Sequence, residues 1–281
     1  MKKLLIIALL FFTFQCMSQQ RCSTNKHVEI LNIKYPQFLE ARKNVNLQTK
    51  NWIKNNTNSK SQTIITIPVV VHIVWNTNQE NITDQQIFSQ IDVLNADFRR
   101  TNIDAIMTPS VWNNVAADTE IEFCLATVDP NGAFTSGITR TQTSQTSFSI
   151  QTDNMKSTSS GGIDPWNQDD YLNIWVCDLS GGILGYATPP SSFNNPDDGV
   201  VIGYKYFGTL GTVQSPYNKG RTATHEVGHW LNLDHIWGNG GNCGNDNIND
   251  TPTQEEENYS CPAFPHNPNS CGTSNSSGDM F

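Results

Sequence analysis

The sequence predicts an α/β domain: a twisted, mostly parallel sheet with an amphipathic helix late in the chain lying beside it. Three observations carry this expectation. Apolar, β-branched runs recur along the chain, and a segment of helical spacing separates the first two. About 220 residues follow a polar stretch at positions 51–62, enough for one domain with a substantial core. Near residue 225 the apolar residues Ala223, Val227, Trp230 and Leu231 fall on one side of a helix and polar residues on the other.

The elements follow in order. Lys2 and Lys3, an apolar stretch from Leu4 to Phe14 and Cys16-Met17-Ser18 before Gln19 read as a secretory signal over residues 1–18, too short to span a bilayer. Bulky Gln15 makes a lipid anchor on Cys16 the weaker reading. No other segment is apolar enough to cross a membrane, so a soluble, exported protein is expected, secreted or held in a periplasm or at a cell surface. Residues 19–60 read as a basic pro-segment and linker: Gln19 to Lys60 holds eight Lys and Arg against two acidic residues, whereas Ser61 to Phe281 holds seven against 24. Charge attraction between the two would weaken with salt. The same acidity excludes nucleic acid as a partner and favours peptide substrates cleaved beside Arg or Lys. Positions 51–62, rich in Asn, Lys and Ser, suit a linker open to proteolysis, placing the main domain at 61–281.

Thr63 to Trp75 reads as a strand. Thr83 to Arg99 reads as a helix, with Ile87, Ile91, Val93, Leu94 and Phe98 at helical spacing and Thr83 as N-cap. Ile121 to Val128, Leu172 to Cys177 and Val200 to Phe207 read as strands, and the Ser/Thr-rich residues 141–162 as a loop. Gly181 to Ala187 reads either as a turn or as an edge strand to which an extended peptide adds, with Gly185, Tyr186 and Ala187 facing it. Cys124 and Cys177 lie in apolar runs that predict buried thiols; Cys243, Cys261 and Cys271 lie in a loop-rich tail that permits a crosslink.

The chemistry is concentrated in His225-Glu226-Val227-Gly228-His229-Trp230-Leu231-Asn232-Leu233-Asp234-His235. His225 and His229 lie one helical turn apart on one face, flanked by Glu226. His235 is six residues further on, so the helix must stop before it, and Asn232 tolerates the left-handed conformation that would turn the chain back. Three neutral imidazoles leave zinc an open position for a water whose proton Glu226 can take as it attacks a peptide carbonyl. The expected function is a zinc-dependent endopeptidase. Two rivals stand against it. One is a zinc site whose third ligand comes from Glu255-Glu256-Glu257; the other is a non-catalytic zinc-containing binding or adhesion module, which would have no chemical need for Glu226.

The motif with Ile236-Trp237-Gly238 after it, Asp250-Thr251-Pro252 and Gly278-Asp279-Met280-Phe281 resembles the pappalysin family of metzincins, and is most similar to the bacterial cytophagalysin branch. The likeness extends through Ile67 to His72, Asn95 to Phe98, Ile121 to Ala126, Gly137 to Arg140 and Leu172 to Cys177. It implies a metzincin-like catalytic domain with a small irregular C-terminal subdomain, made as a zymogen, with His225, His229 and His235 as zinc ligands and Glu226 as base. The family places a methionine-containing turn and an oxyanion-stabilising tyrosine after the Asp-Met-Phe stretch, so a domain incomplete at its C-terminal end is expected. It implies a Cys243–Cys271 disulfide, with Cys261 pairing further along. By its residues alone the loop holding Asp246, Asn249, Asp250 and Thr251 is an ion-free Asx turn; the resemblance implies a structural calcium there. Arg21-Cys22 resembles the N-terminal region of related proenzymes, implying Cys22 as an inhibitory zinc ligand released by cleavage within 43–61. An idle or disulfide-bonded thiol is the alternative. His27, His72 and His266 belong to no metal spacing and read as structural or surface residues.

Overall fold

The computed structural model describes residues 21–56, 63–238, 243–248, 250–258, 263–264 and 271. The signal stretch, Asn249, Cys261, His266 and Met280 lie outside them. Two helices come first, α1 (Thr24–Lys34) and α2 (Phe38–Asn55), followed by β1 (Ile65–Trp75), α3 (Asp84–Phe98), β2 (Ile121–Leu125), β3 (Ile138–Gln142), β4 (Leu172–Cys177), β5 (Gly185–Thr188), β6 (Gly199–Gly203) and α4 (Arg221–Trp230).

The sheet is open and mixed, with helices packed against it. Its order is β2-β1-β4-β6-β5, with β3 also pairing β1. β1 is long enough to serve two partners on one side: Ile65 to Val69 pairs with β2 and Val71 to Trp75 with β3, while β4 lies along its other side. Every pairing is parallel except β5 with β6. Antiparallel β5 forms the far edge, in the register Gly185 to Ile202 and Tyr186 to Val201. Central β4 is buried along its whole length, as a strand covered on both faces is; its one polar residue, Asn173, accepts from Trp166 N–H and hydrogen-bonds with the His72 ring.

Each sheet face has its own core. On one, Ile87, Leu94 and Phe98 of α3 and Ala223 and Val227 of α4 pack on Val69, Val71, Ile174 and Ile202. On the other, Trp175, Tyr186 and Val201 gather Phe148, Ile150 and Met155 from the segment between β3 and β4, and Ile30 of α1 joins them. Thr83 caps α3 by accepting from Gln86 N–H at 3.2 Å. Two buried amides of α3 then hold the loop before α4: Gln86 Nε2 donates to Phe207 O at 2.9 Å and Gln90 Nε2 to Gly220 O at 3.0 Å.

The structure corrects several sequence expectations. Positions 51–55 are not linker but the last turns of α2. The strand expected to run to Phe207 stops at Gly203, because Tyr204–Tyr206 tightens into a 3-10 turn, and the one expected to reach Val128 stops at Leu125. The 141–162 loop begins with the last two residues of β3, which pair with β1, and holds two 3-10 turns. Cys124 is exposed: on edge strand β2 it alternates with Phe123, and Phe123 takes the core side. Cys177 is buried as expected. Among the described residues no helix is long and apolar enough to cross a membrane.

Candidate metal centre and the segment that covers it

α4 presents Ala223 and Val227 to the core and packs against α3, β5 and β6. Its first turn is tied to α3, where Thr224 Oγ1 donates to Asp97 Oδ2 at 2.7 Å and Arg221 pairs with the same carboxylate at 2.9 Å. The helix ends as the motif requires. Asn232 adopts φ 77°, its N–H donates to His229 O at 2.9 Å, and Leu233 N–H reaches back to Gly228 O at 3.0 Å. These two bonds satisfy carbonyls left open at the helix end and reverse the chain.

The reversal returns His235 to the other two histidines. His229 Nε2 stands 3.1 Å from His225 Nε2 and 3.1 Å from His235 Nε2. Tetrahedral zinc with Zn–N bonds of about 2.0–2.1 Å spaces its nitrogens by about 3.3 Å, so the cluster fits that ion. The tautomer fits as well. His229 Nδ1 lies 2.7 Å from Leu233 O, a group that can only accept, so Nδ1 carries the proton and Nε2 keeps its lone pair for a metal. His235 is fixed by stacking on Trp237, ring centroids 4.4 Å apart and 8° from parallel.

The fourth member of the cluster comes from the N-terminal segment. Cys22 Sγ and the ligand nitrogens of His225, His229 and His235 lie within 4.8 Å of one another; among the described residues this is the only such metal-ligand group, and none of Glu255, Glu256 and Glu257 belongs to it. Glu226 is buried beside it. Its Oε2 accepts from Thr24 Oγ1 at 2.8 Å and from Cys22 Sγ at 3.5 Å. Burial pushes the Glu226 carboxyl up to about 8, against the two hydrogen bonds, and burial together with the Glu226 charge pushes the Cys22 thiol up as well. A dication among the imidazoles would favour both charged forms.

Edge strand β5 carries the covering segment. Cys22 bridges Gly185 in parallel; Ser23 N–H donates to Gly185 O and Leu184 N–H to Arg21 O, each at 3.2 Å. Thr24 Oγ1 also accepts from Ala187 N–H at 2.9 Å, so one hydroxyl ties the segment to both strand and helix. Gly185 is needed here: a Cβ at that position would stand 2.9 Å from Val201 O and 3.1 Å from Glu226 Cγ, closer than side chains normally approach. The side chain of Tyr186 points away from this edge into the second core.

α2 reaches the turn around the third histidine. Arg42, Asn46 and Lys50, one turn apart on one stripe, meet Asp234 at 3.8 Å, Asn232 at 2.8 Å and Asn247 at 3.0 Å. In the loop beyond, Cys243 and Cys271 form a disulfide with Cα atoms 5.5 Å apart. Asp246 accepts from Ile248 N–H at 3.0 Å and from Thr251 Oγ1 at 3.2 Å, while Asp250 is exposed.

Comparison with known proteins agrees with this geometry. The family model described as Pregnancy-associated plasma protein-A, a metallopeptidase family, matches residues 157–276. A promirolysin mutant from Tannerella forsythia is 50% identical, with TM-score 0.82 over 93% of this chain and 85% of that one. The chain belongs to the pappalysin family. Mature mirolysin of Tannerella forsythia in complex with a cleaved peptide is 56% identical, with TM-score 0.76 over 79% of this chain and 83% of that one. A fungal protein named extracellular metalloprotease, from Pyricularia oryzae, is 29% identical over 215 residues; the alignment takes in 74% of this chain and spans 64% of that relative's length. For a pappalysin, zinc is the implied metal.

Sequence reasoning missed Thr24 of the covering segment. His27, expected to be structural or on the surface, is a structural residue, fully buried with both ring nitrogens hydrogen-bonded. Nothing in the spacing distinguishes either of them, because their partners on β5, on α4 and before β4 are more than 120 residues away.

Proposed function

We propose that this chain is the latent form of an exported zinc endopeptidase. His225, His229 and His235 hold the ion, Glu226 is the general base, and Cys22 closes the fourth position until the N-terminal segment leaves. The single observation that carries the proposal is the convergence of three imidazole nitrogens and one thiol, with a buried carboxylate hydrogen-bonded to that thiol. When bound, zinc would polarise the scissile carbonyl and bring the pKa of a coordinated water to about 7.

The chain's own residues supply the rest. Glu226 takes a proton as the attack proceeds and can return it to the leaving amine. Gly185 and Ala187 offer backbone groups at a sheet edge, the surface on which an extended peptide adds as a strand. In the latent chain Arg21 to Ser23 occupies that edge, so one segment blocks both the metal and the peptide track. Cleavage within residues 43–61 would release the segment, and positions 43–55 of that range are helical, which disfavours them as protease sites. The preference for substrates cleaved beside Arg or Lys rests on the acidity of residues 61–281, and export on the signal-like N-terminus.

The test removes the base and keeps the metal. In the activated protein Glu226→Gln should lower peptide cleavage by about 10²–10⁴ with zinc content unchanged, whereas His235→Ala should lose the zinc as well. Absence of cleavage by the activated wild type, no different from the Glu226 variant, would leave the binding-module reading in its place; cleavage by Glu226→Gln at the wild-type rate would remove Glu226 from the role of base. A structural calcium at Asp246, Asn249, Asp250 and Thr251 belongs to the same proposal, supported by the meeting of Asp246 with Thr251. It predicts a fall in Tm when calcium is removed by a chelator that spares zinc; an unchanged Tm would leave the loop as an Asx turn.

A further inference from the structure

Behind β5, on the side away from Cys22, the covering segment makes a second attachment. His27 is fully buried and both its ring nitrogens meet oxygen: Nε2 lies 2.7 Å from Asp153 Oδ2 and Nδ1 lies 3.1 Å from Ala187 O. A backbone carbonyl only accepts, and an ionised carboxylate only accepts. Neutral imidazole has one N–H and can satisfy one of them. Imidazolium has two and satisfies both.

The surroundings keep the carboxylate ionised. Burial alone would raise the Asp153 carboxyl, but the Lys156 charge, with the hydrogen bonds from His27 and the Tyr186 hydroxyl, holds it well below the usual carboxylate range. Lys156 Nζ stands 3.4 Å from Asp153 Oδ2 and also donates to Asp197 O at 2.8 Å. The Tyr186 hydroxyl donates to the other Asp153 oxygen, and its ring lies 4.7 Å from that of His27. The ionisable groups packed around His27 are therefore Asp153 and Lys156 from the segment before β4, Tyr186 of β5 and, a layer further out, Cys177 of β4 and Asp197 before β6. Lys26 and Glu29 are its ionisable near neighbours on α1, and Glu226 is reached through Thr24.

We propose that His27 is held as an imidazolium in the latent chain and makes docking of the N-terminal segment pH-dependent, tight in acid and loosened as the pH rises. The sign follows from the contacts. A docking contact that needs both ring N–H groups is complete where the ring is doubly protonated, in acid, and is lost in base when one proton leaves. Deprotonation leaves either the Ala187 carbonyl or the Asp153 carboxylate without a donor in a place water does not reach. The proposal deepens the latency reading above and rests on it, because it concerns what holds the inhibitory segment.

The experiment uses the full chain loaded with zinc and carrying ¹⁵N-labelled histidine. Both ring nitrogens of His27 should give the shifts of protonated nitrogens near pH 6; a neutral tautomer there would overturn the proposal, and this readout needs no substitution. Hydrogen exchange of residues 23–31, corrected for the intrinsic effect of pH, should then lose roughly tenfold or more of its protection between about pH 5 and about pH 9, while β4 keeps its own. In His27→Gln and in Asp153→Asn that slope should flatten to within about twofold. An equal slope in the variants, or no slope in the wild type, would overturn the proposal. Latency is read separately, from peptide cleavage before and after removal of the segment. Equal rates would sink the latency reading whatever the state of His27, and a large difference with a neutral His27 would sink only the switch.

Discussion

The two N-terminal helices differ in how they are attached. α1 is built into the domain: it packs on β5, Ile30 joins the second core, and Thr24, His27 and Leu31, at i, i+3 and i+7, are buried. α2 lies on the surface. Apart from Phe38 and Ala41 in its first turn it buries none of its residues; Leu47, Trp52 and Ile53 are each more than half exposed, and it holds on through the tips of Arg42, Asn46 and Lys50. One stretch of chain is thus a plug joined to a strap. In the proposed latent form the plug would block the centre by burial, while the strap would add little to the plug's hold.

That difference makes ordered predictions. Leu31→Ala should have the largest effect, because it opens a cavity in a fully enclosed site; a loss of about 2–5 kcal/mol in stability of the latent chain is expected, read from its unfolding curve. A loss below about 0.5 kcal/mol would mean that the plug is not part of the core. Thr24→Val should come next. It keeps the shape but removes the hydroxyl that donates to Glu226 and accepts from Ala187 N–H, leaving the enclosed Ala187 N–H unpaired and Glu226 Oε2 with the Cys22 thiol as its remaining donor. About 1–3 kcal/mol is expected, together with cleavage activity in the uncut chain. Full latency with unchanged stability would show that Cys22 holds the segment by itself.

The parts that the sequence made legible are those whose signal is local. β1, β4 and α3 announce themselves by runs or periodicity of apolar residues, and Asn232 by its place between two histidines that must converge. α1 gives no such signal, since two of its three buried residues, Thr24 and His27, are polar and their reason for burial lies on β5, on α4 and before β4. β3 is equally silent: Thr139, Arg140, Thr141 and Gln142 do not alternate in hydropathy, and the strand exists because β1 runs past β2 and leaves an edge to be paired. At the centre itself the histidines and Glu226 lie within eleven residues of one another, whereas Thr24, which donates to Glu226, is 202 residues away from it. Spacing reports what one helix brings together and is blind to what a sheet edge does.

The smallest predicted effect tests the strap. Ile53 and Trp52 sit in the last turns of α2 with most of their surface in water, so Ile53→Ser removes little buried area and creates no cavity. Stability should change by no more than about 0.5 kcal/mol and latency should not change. The cost it does carry is local: a serine hydroxyl can hydrogen-bond nearby backbone groups in place of the helix ladder, and α2 ends there with Asn56 N–H bonded to Ile53 O. Fraying of one turn would expose non-helical backbone at the end of α2. A protease acting on the strap should then cut Ile53→Ser faster than the wild type while Leu31 and Thr24 hold the plug as before. If cleavage quickens and inhibition also weakens before any cut is made, plug and strap are one cooperative unit, and the division drawn from their burial is too sharp.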